Sequence, residues 1–425
     1  MSPWTARSGP FRIFAWTLFD FANTAFSVIV VTVIYSRYFT NHVAGGRRLY
    51  WGLAVSISMV LAALLTPPLG AAADSTGNRK KFLLILTLLS VAATMLLSTV
   101  QAGMIVWGMS LFILANIGFE GGLVFYDAFL PNLTTPEKYG RVSGYGFAMG
   151  YLGALAVLLI VQAALKDAAD PAYLDSVRRS FLIAGGFFLV FSMPLFLWVG
   201  EPPGDRVPGG GYIREGARRA GSTLSSIVRD PGLTPLKKFL LAFFLYNDGI
   251  ITVITFAAIF ADETLHMSDS DIIVFFAIVQ TSAIVGSFVF GFVTDRIGPK
   301  RTILLTLTGW IGIVIGAYFV TTVAVFYVIA FLAGTAIGST QSASRSMMAL
   351  LTPKNREAEF FGFYDGLFGK SSAVAGPAVY GLLSDAAGER VAILSIGVFI
   401  LAGLLLLRGV ESPLPGGRRG AVLAE

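Results

Sequence analysis

Runs of about twenty mostly apolar residues follow one another along nearly the whole chain, and an α-helix needs a run of that length to cross a bilayer. Hydrophobic residues make up 55% of the 425 residues, and charged residues make up only 13%. A soluble domain carries about 25% charged residues. The sequence therefore predicts an integral membrane protein made of α-helices.

The lengths of these apolar runs predict twelve transmembrane spans. The first six cover approximately residues 13–40, 50–73, 82–100, 103–130, 141–165 and 180–200, and the second six cover 237–261, 271–293, 302–321, 324–350, 359–384 and 390–408. Segment 201–236, rich in Gly, Pro and Arg, is typical of a linker. We predict an all-α membrane protein with an N-terminal six-helix bundle (1–200), a cytoplasmic linker (201–236), and a C-terminal six-helix bundle with a short cytoplasmic tail (237–425).

A short motif between apolar runs occurs twice, about 220 residues apart. Each copy contains a glycine, an aspartate and basic residues, namely Gly70, Asp74 and Arg79, then Gly291, Asp295, Arg296 and Lys300. A motif that recurs at half the chain length indicates a unit built twice. Both sets of six spans start on the same side, so we expect parallel repeats.

Lysine and arginine residues concentrate in alternate loops, including 79–81, 138–141, 206–229, 300–301 and 354–356. Positive residues favour the cytoplasmic side of short loops. We therefore predict that both termini are cytoplasmic and that the protein lies in a bacterial inner membrane. The net charge of +6 is better explained by topology and membrane lipids than by nucleic acid, which we exclude as a partner.

The repeated motif resembles the signature inner loop of the major facilitator superfamily of secondary transporters. Further stretches resemble the branch that contains the yeast vacuolar amino-acid effluxer, an autophagy-related protein, and its bacterial relatives. They are WTLFDFANTAF at 16–26, FYDAFLP at 125–131, YNDG at 246–249, QSASRS at 341–346 and REAEFFGFYD at 356–365. The resemblance implies a major facilitator fold and rocker-switch alternating access, with amino acids as one class of substrate.

In the superfamily, the motif aspartate pairs with an arginine and a helix N-terminus and steadies the outward-open state. The resemblance therefore implies that Asp74 and Asp295 control when the cavity opens. Arg141, and Arg356 or Arg345, are the partners that we expect for them. The residues expected to act in gating are Gly70, Asp74, Arg79, Arg141, Gly291, Asp295, Arg296 and Lys300.

Polar and charged residues inside the spans nominate a substrate or proton pathway, because a charge at the bilayer centre costs at least about 2.5 kcal/mol. They fall on spans one, four, seven, ten and eleven, the spans that line the cavity in the superfamily. The candidates for substrate binding and coupling are Asp20, Asn23, Glu120, Asp127, Asn247, Asp248, Gln341, Arg345, Asp365 and Lys370.

Carboxylates in a poorly solvated cavity can load and release protons, so protons are the expected coupling ion. The planar fork of Arg345 suits a substrate carboxylate, although Arg345 could instead serve gating or pair with Asp365. Asp20 and Asp248 could equally brace helix packing. Asp365 and Lys370 lie about 140° apart on an α-helix, so we expect them to serve different neighbours.

The sequence favours a monomeric secondary active transporter of a small molecule over an enzyme. There are no cysteines and only two histidines, and no nucleophile–base arrangement or cofactor motif is evident, so we expect no metal and no cofactor. Two alternatives remain open. One is an exporter of amphipathic compounds such as drugs or lipids, and the other is a membrane receptor or scaffold that does not transport.

Overall fold

A computed structural model describes residues 9–167, 169–201, 212–373 and 375–411, apart from the side chains of residues 213, 269 and 270. Over these ranges the chain is helical and contains no β-strand. The predictions for residues 1–8, for 202–211 of the linker and for the tail from residue 412 concern residues outside the described ranges.

The first half of the sequence forms eight α-helices, of which α2 and α6 are single turns. They are α1 (Pro10–Phe26), α2 (Tyr35–Tyr38), α3 (Arg48–Thr76), α4 (Arg79–Leu96), α5 (Ile105–Asp127), α6 (Leu130–Leu133), α7 (Tyr139–Ala164) and α8 (Tyr173–Trp198). Two π-helical stretches, Ser27–Val33 and Phe39–Val43, flank α2 and extend the first span.

The second half begins with α9 (Tyr212–Arg229), a helix within the segment predicted only as a linker. The others are α10 (Thr234–Leu265), α11 (Asp269–Ile297), α12 (Pro299–Phe319), α13 (Val323–Leu351), α14 (Glu357–Phe361), α15 (Ala375–Ala387) and α16 (Glu389–Arg408). A π-helical stretch, Gly362–Gly369, follows α14 directly.

Eleven helices among the described residues are long and apolar enough to cross a membrane. Eleven of the twelve predicted spans correspond to them, and the remaining one is span eleven. Span eleven is built from α14, the π-helical stretch and α15, none of which is long enough alone. Span eleven therefore consists of shorter helical segments, with a break in the helix at residues 372–373, before α15.

The described residues divide into two compact units, each of which takes a short segment from the other half of the sequence. Unit 1 comprises Met1–Leu133, Met149–Arg218 and Asn355–Gly362. Unit 2 comprises Thr134–Ala148, Arg219–Lys354 and Phe363–Glu425. In unit 1, α1 packs on α8, α4 on α5 and α8, and α3 on α5 and α14; in unit 2, α11 packs on α13, α10 on α16, and α12 on α13 and α16.

The repeated motif also marks two helix ends. Gly77 ends α3 with φ of 63°, and Gly298 separates α11 from α12 with φ of 86°. A side chain is strained at such angles, whereas glycine adopts them readily. Each copy of the motif therefore turns the chain from one span into the next.

Candidate gating and transport site

The first motif forms a cluster in unit 1 that we call the first aspartate cluster. Asp74, in the last turn of α3, accepts hydrogen bonds from the backbone N–H groups of Glu359 (2.8 Å) and Ala358 (3.2 Å) at the start of α14. The Nε of Arg79 donates to Asp74 at 2.5 Å, and its Nη2 contacts Glu357. All three charged side chains are buried. An aspartate thus binds a helix N-terminus, where the helix dipole favours negative charge.

The second motif forms the second aspartate cluster, in unit 2. Asp295, near the end of α11, accepts a hydrogen bond from the backbone N–H of Arg141 (3.2 Å) in the first turn of α7. The guanidinium of Arg141 forms a salt bridge with the same carboxylate. Arg141 was one of the expected partners of the motif aspartates, and the structure places it on Asp295.

Glycines allow the helices of each cluster to approach closely. A Cβ at Gly70 would lie 2.3 Å from the carbonyl oxygen of Ala358, and one at Gly291 would lie 3.0 Å from the Cα of Arg141. On the facing helices, a Cβ at Gly362 would lie 2.9 Å from the Cα of Pro67, and one at Gly144 would lie 2.3 Å from the carbonyl oxygen of Ser287. Each pair of helices therefore meets through glycines on both sides, as small residues permit in membranes.

The two clusters use different cations. Arg79 follows Asp74 by five residues and pairs with it, whereas Lys300, five residues after Asp295, donates to the carbonyl oxygen of Arg408 (2.8 Å). Arg296 is exposed. The basic residues of the second motif thus have different surroundings from Arg79, and Arg141 supplies the cation on that side.

Helix α13 holds the first turns of α7 within unit 2. Arg345 donates from Nε to the hydroxyl of Ser143 (2.9 Å) and from Nη2 to its carbonyl oxygen (2.8 Å). Ser143 donates to the carbonyl oxygen of Ser342 (2.9 Å), and Ser346 donates to that of Tyr139 (3.1 Å). Residues 342–346 of span ten therefore hydrogen-bond to the N-terminal end of α7, the same end that binds Asp295.

Arg345 is consequently engaged with protein groups in this structure. Its side chain is 2% exposed, and its guanidinium lies 4.1 Å from the ring centroid of Phe147 on α7. These contacts tie α13 to the first turns of α7.

Asp20 lies in an aromatic setting in unit 1. The hydroxyl of Tyr126 donates to its carboxylate at 2.8 Å, and the amide of Asn23 lies 3.4 Å from the other carboxylate oxygen. Trp16 stacks on Tyr126 with ring centroids 4.4 Å apart, and its indole N–H donates to the Tyr126 carbonyl oxygen at 3.0 Å. The two predicted site residues Asp20 and Asn23 thus contact each other, and Asp20 also contacts the last turn of α5.

Asp248 and Asn247 of α10 both bind the break in span eleven. Both carboxylate oxygens of Asp248 lie 2.8 Å from the backbone N–H of Gly376, in the first turn of α15. The Asn247 amide donates to the hydroxyl of Ser372 at 2.7 Å, on the other side of the break. A side chain at Gly376 would place its Cβ 2.8 Å from Asp248. Asp248 therefore caps the second part of a discontinuous helix.

Asp365 and Lys370 form a salt bridge with an N–O distance of 3.5 Å. The expectation that they serve different neighbours was wrong. Asp365 lies within π-helical backbone, in which residues five apart are one turn apart, so the angle expected for an α-helix does not apply.

The remaining candidates stay in their predicted spans. Glu120 and Asp127 are buried on α5, and Gln341 is half-buried on α13. Asn116, one turn before Glu120, donates to the hydroxyl of Ser58 on α3 at 2.9 Å.

Several partners were not assigned roles from the sequence. Glu357 lies in the stretch REAEFFGFYD but was given no role, and Ser143 and Gly376 have no motif of their own; each of the three contacts a residue distant in sequence. Two acidic residues, Glu357 and Glu359, at the entrance of an apolar run were an available signal, because a buried carboxylate at a helix start needs a cation or an N–H.

The fold matches solved structures over nearly its full length. The proton:xylose symporter XylE, a major facilitator superfamily protein, is similar with a TM-score of 0.74 at 15% identity, covering 96% of this chain and 97% of that one. The human organic anion transporter MFSD10 is similar with a TM-score of 0.76 at 17% identity, covering 94% of this chain and 100% of that one. These likenesses confirm the predicted all-α, twelve-span major facilitator fold.

The sequence matches one family model, described as "Vacuole effluxer Atg22 like", over residues 50–140 and 136–414. The chain belongs to this Atg22-like family. Proteins with similar sequences include the MFS-type transporter YxiO of Bacillus subtilis, 29% identical over 414 residues that cover 92% of this chain and 93% of that protein. Autophagy-related protein 22 of Coccidioides immitis is 27% identical over 410 residues, covering 79% of this chain and 67% of that protein. This Atg22-like protein is an integral membrane transporter of the major facilitator superfamily.

Proposed function

We propose that this Atg22-like transporter moves a small solute, with amino acids or related metabolites as the favoured class, by proton-coupled alternating access. The observation that carries the proposal is the matched pair of aspartate clusters. Each cluster joins a span of one sequence half to the start of span five or span eleven from the other half. The family description, "Vacuole effluxer Atg22 like", supports movement of a solute across the membrane.

The contacts of the two clusters suit a gate that opens and closes. Each consists of one carboxylate, one or two backbone N–H groups and one or two charged partners at a glycine-lined crossing. Such contacts are few and directional, and the helices they join keep their own internal hydrogen bonds when the contacts break. Breaking both clusters would release segments 134–148 and 355–362 from the units with which they pack.

Arg345 then binds Ser143 in one conformational state of the transporter and the substrate in the other. In the structure its fork is bonded to Ser143. When the start of α7 moves away, the same donors become available to a substrate carboxylate, the group that a guanidinium binds best. This favours solutes that carry a carboxylate, amino acids among them.

Proton coupling is assigned to Asp20 and Asp248, the two buried carboxylates in spans one and seven. Asp20 accepts a hydrogen bond from the hydroxyl of Tyr126, and Asp248 accepts one from the backbone N–H of Gly376. Both donors stabilise the charged carboxylate. A proton on either carboxylate would weaken those contacts, and this would link protonation to helix position.

The test is transport by purified protein in proteoliposomes against a panel of amino acids and metabolites, with and without a proton gradient. We expect Asp20→Asn to keep counterflow, which needs no net driving force, and to lose stimulation by the gradient. Asp167→Asn, an exposed loop aspartate, is the matched control. Gradient dependence that is unchanged in Asp20→Asn contradicts coupling through Asp20.

We also propose that both termini face the cytoplasm of a bacterial cell and that the transporter acts as a monomer. The concentration of Lys and Arg in alternate loops supports this orientation. The chain has no cysteine, so single cysteines can report sidedness without background. An introduced cysteine at Ser75 should react with an impermeant thiol reagent only from the inside, and one at Asp167 only from the outside.

A further inference from the structure

Helix α9, in the segment between the two sets of spans, has one face packed on the protein. Its sequence, YIREGARRAGSTLSSIVR, contains four arginines and one glutamate. Gly216, Ala220, Thr223 and Ile227 are buried and follow the helical spacing of one stripe. Packing on the protein therefore accounts for one face of this helix only.

A second apolar stripe lies beside the first and is exposed. Leu224 and Val228 are 38% and 56% exposed, and Ala217, about two turns before Leu224, is exposed as well. Arg214 and Arg218 flank this stripe on the side away from the packed face, at the helical positions that follow it. The order around the helix is thus packed face, exposed apolar stripe, and arginines.

The neighbours of α9 place it at the edge of the bilayer. A Cβ at Gly216 would lie 2.4 Å from the carbonyl oxygen of Pro68, so α9 crosses α3 within the last turns of span two. On the same face of α3, one and two turns further into the span, the chain exposes Leu61, Leu64 and Leu65. Leucines that are exposed on a membrane span face lipid, so α9 lies against the end of a lipid-facing surface.

The other end of α9 is held at the boundary too. Span seven begins at Pro231, two residues after the end of α9. Lys237, in the first turns of that span, donates from Nζ to the carbonyl oxygen of Val228 at 2.9 Å. Both ends of the helix are therefore fixed to residues that enter the bilayer nearby.

We propose that α9 is an interfacial helix that inserts Leu224 and Val228 among the lipid chains and binds anionic phospholipid headgroups through Arg214 and Arg218. An apolar stripe next to arginines fits the boundary between acyl chains and headgroups. Each arginine near an anionic surface contributes roughly 1 kcal/mol, about fivefold in affinity. Arg218 also pairs with Glu215 at 2.7 Å on the exposed surface, a contact that a phosphate can replace. This proposal stands apart from the substrate and from proton coupling.

Spin labels on single cysteines test the proposal, because the chain has no cysteine of its own. Labels at L224C and V228C are compared with a label at S222C, an exposed position roughly 120–160° away from them around the same helix. The full-length protein is reconstituted in nanodiscs of phosphatidylcholine, with or without phosphatidylglycerol. Depth is read from accessibility to oxygen and to a water-soluble nickel complex.

We expect the labels at 224 and 228 to lie about 5–10 Å below the headgroup boundary in discs with phosphatidylglycerol, and the label at 222 to lie in water. Arg214→Gln with Arg218→Gln should make the 224 and 228 labels shallower in those discs. Equal water accessibility at all three positions overturns the proposal, and a protein partner would then be the occupant of the stripe. Insertion that is the same with and without phosphatidylglycerol overturns the headgroup assignment.

Discussion

Asp295 binds Arg141 twice, once through the backbone N–H at 3.2 Å and once through the guanidinium. One carboxylate thus holds both the N-terminus of α7 and its first charged side chain. The relationship differs from that of Asp74, which binds N–H groups of one helix and the guanidinium of another.

The double role of Asp295 predicts how its variants behave. Asp295→Asn and Arg141→Gln should each impair transport, and together they should be clearly non-additive, with a coupling of about 0.5–3 kcal/mol. The reversed pair Asp295→Arg with Arg141→Asp should stay impaired, because an arginine cannot accept the backbone N–H. Uptake by proteoliposomes measures both, with exposed Arg296→Gln as control. Additive single losses contradict the pairing.

Gly70→Ala should damage the first aspartate cluster. The new Cβ would lie 2.3 Å from the Ala358 carbonyl oxygen, so a backbone must move, at a cost of about 1–3 kcal/mol. Gly291→Ala should be milder, since its Cβ would approach Arg141 only to 3.0 Å. Gly52→Ala, on the same helix as Gly70 and with open space around it, is the control. Thermal unfolding in detergent measures the three, and equal midpoints would refute the ranking.

Two variants of Asp248 should separate its role as a helix cap from the role of its charge. Asp248→Asn keeps an acceptor for the Gly376 N–H, so we expect near-normal stability and altered gradient dependence. Asp248→Leu leaves that buried N–H unpaired, at about 1–3 kcal/mol, and should lower the unfolding temperature as well. Thr255→Val on the same helix, an exposed hydroxyl bonded only to its own helix in the structure, serves as control. If Asn and Leu behave alike in stability, the cap is unimportant.

The Asp365–Lys370 salt bridge predicts rescue between two variants. Asp365→Asn or Lys370→Met alone leaves one charge within the membrane without this partner, and each should reduce expression. The double variant should recover, because both charges are gone. The exposed pair Asp175–Arg178 should show a coupling below about 1 kcal/mol in the same assay. Expression and unfolding midpoints of the double variant no better than those of the singles would exclude the pairing.

The surroundings of Glu201, just outside span six, predict that the stability of the folded protein depends on pH. Burial raises the pKa of its carboxyl, although the backbone N–H of Lys80 (3.1 Å) acts in the opposite direction. The pKa of Glu201 is therefore higher in the folded protein than in the unfolded chain. Its contribution to folding stability is fully present below the unfolded pKa, near 4.3, and is lost as the pH rises through the folded pKa. Unfolding midpoints of wild type should therefore fall relative to those of Glu201→Gln as the pH rises above about 4.3. A constant difference would contradict the raised pKa.

Much of the fold followed from local properties of the sequence. Eleven of the predicted spans match helical segments that are long and apolar enough to cross a membrane, and the doubled motif lies where two of them end. Span eleven shows the limit, because Asp365 and Lys370 were judged on α-helical geometry and the backbone there is π-helical. Periodicity reports apolar length well, but it does not report how the backbone is bonded within a span. The function of the candidate side chains stays a prediction.

The sequence by itself determined that the chain crosses a membrane many times, that it is built twice, and where its charges lie. It could do so because a bilayer forces each span to satisfy its own backbone and to be apolar along its own length. Only the tertiary structure decided which groups meet. Arg79 and Lys300 occupy equivalent places in the repeat, yet Arg79 pairs with its aspartate, while Asp295 takes Arg141 and Lys300 binds the carbonyl oxygen of Arg408. Such choices depend on helices that are distant in sequence and packed within a few ångströms, which no local pattern records.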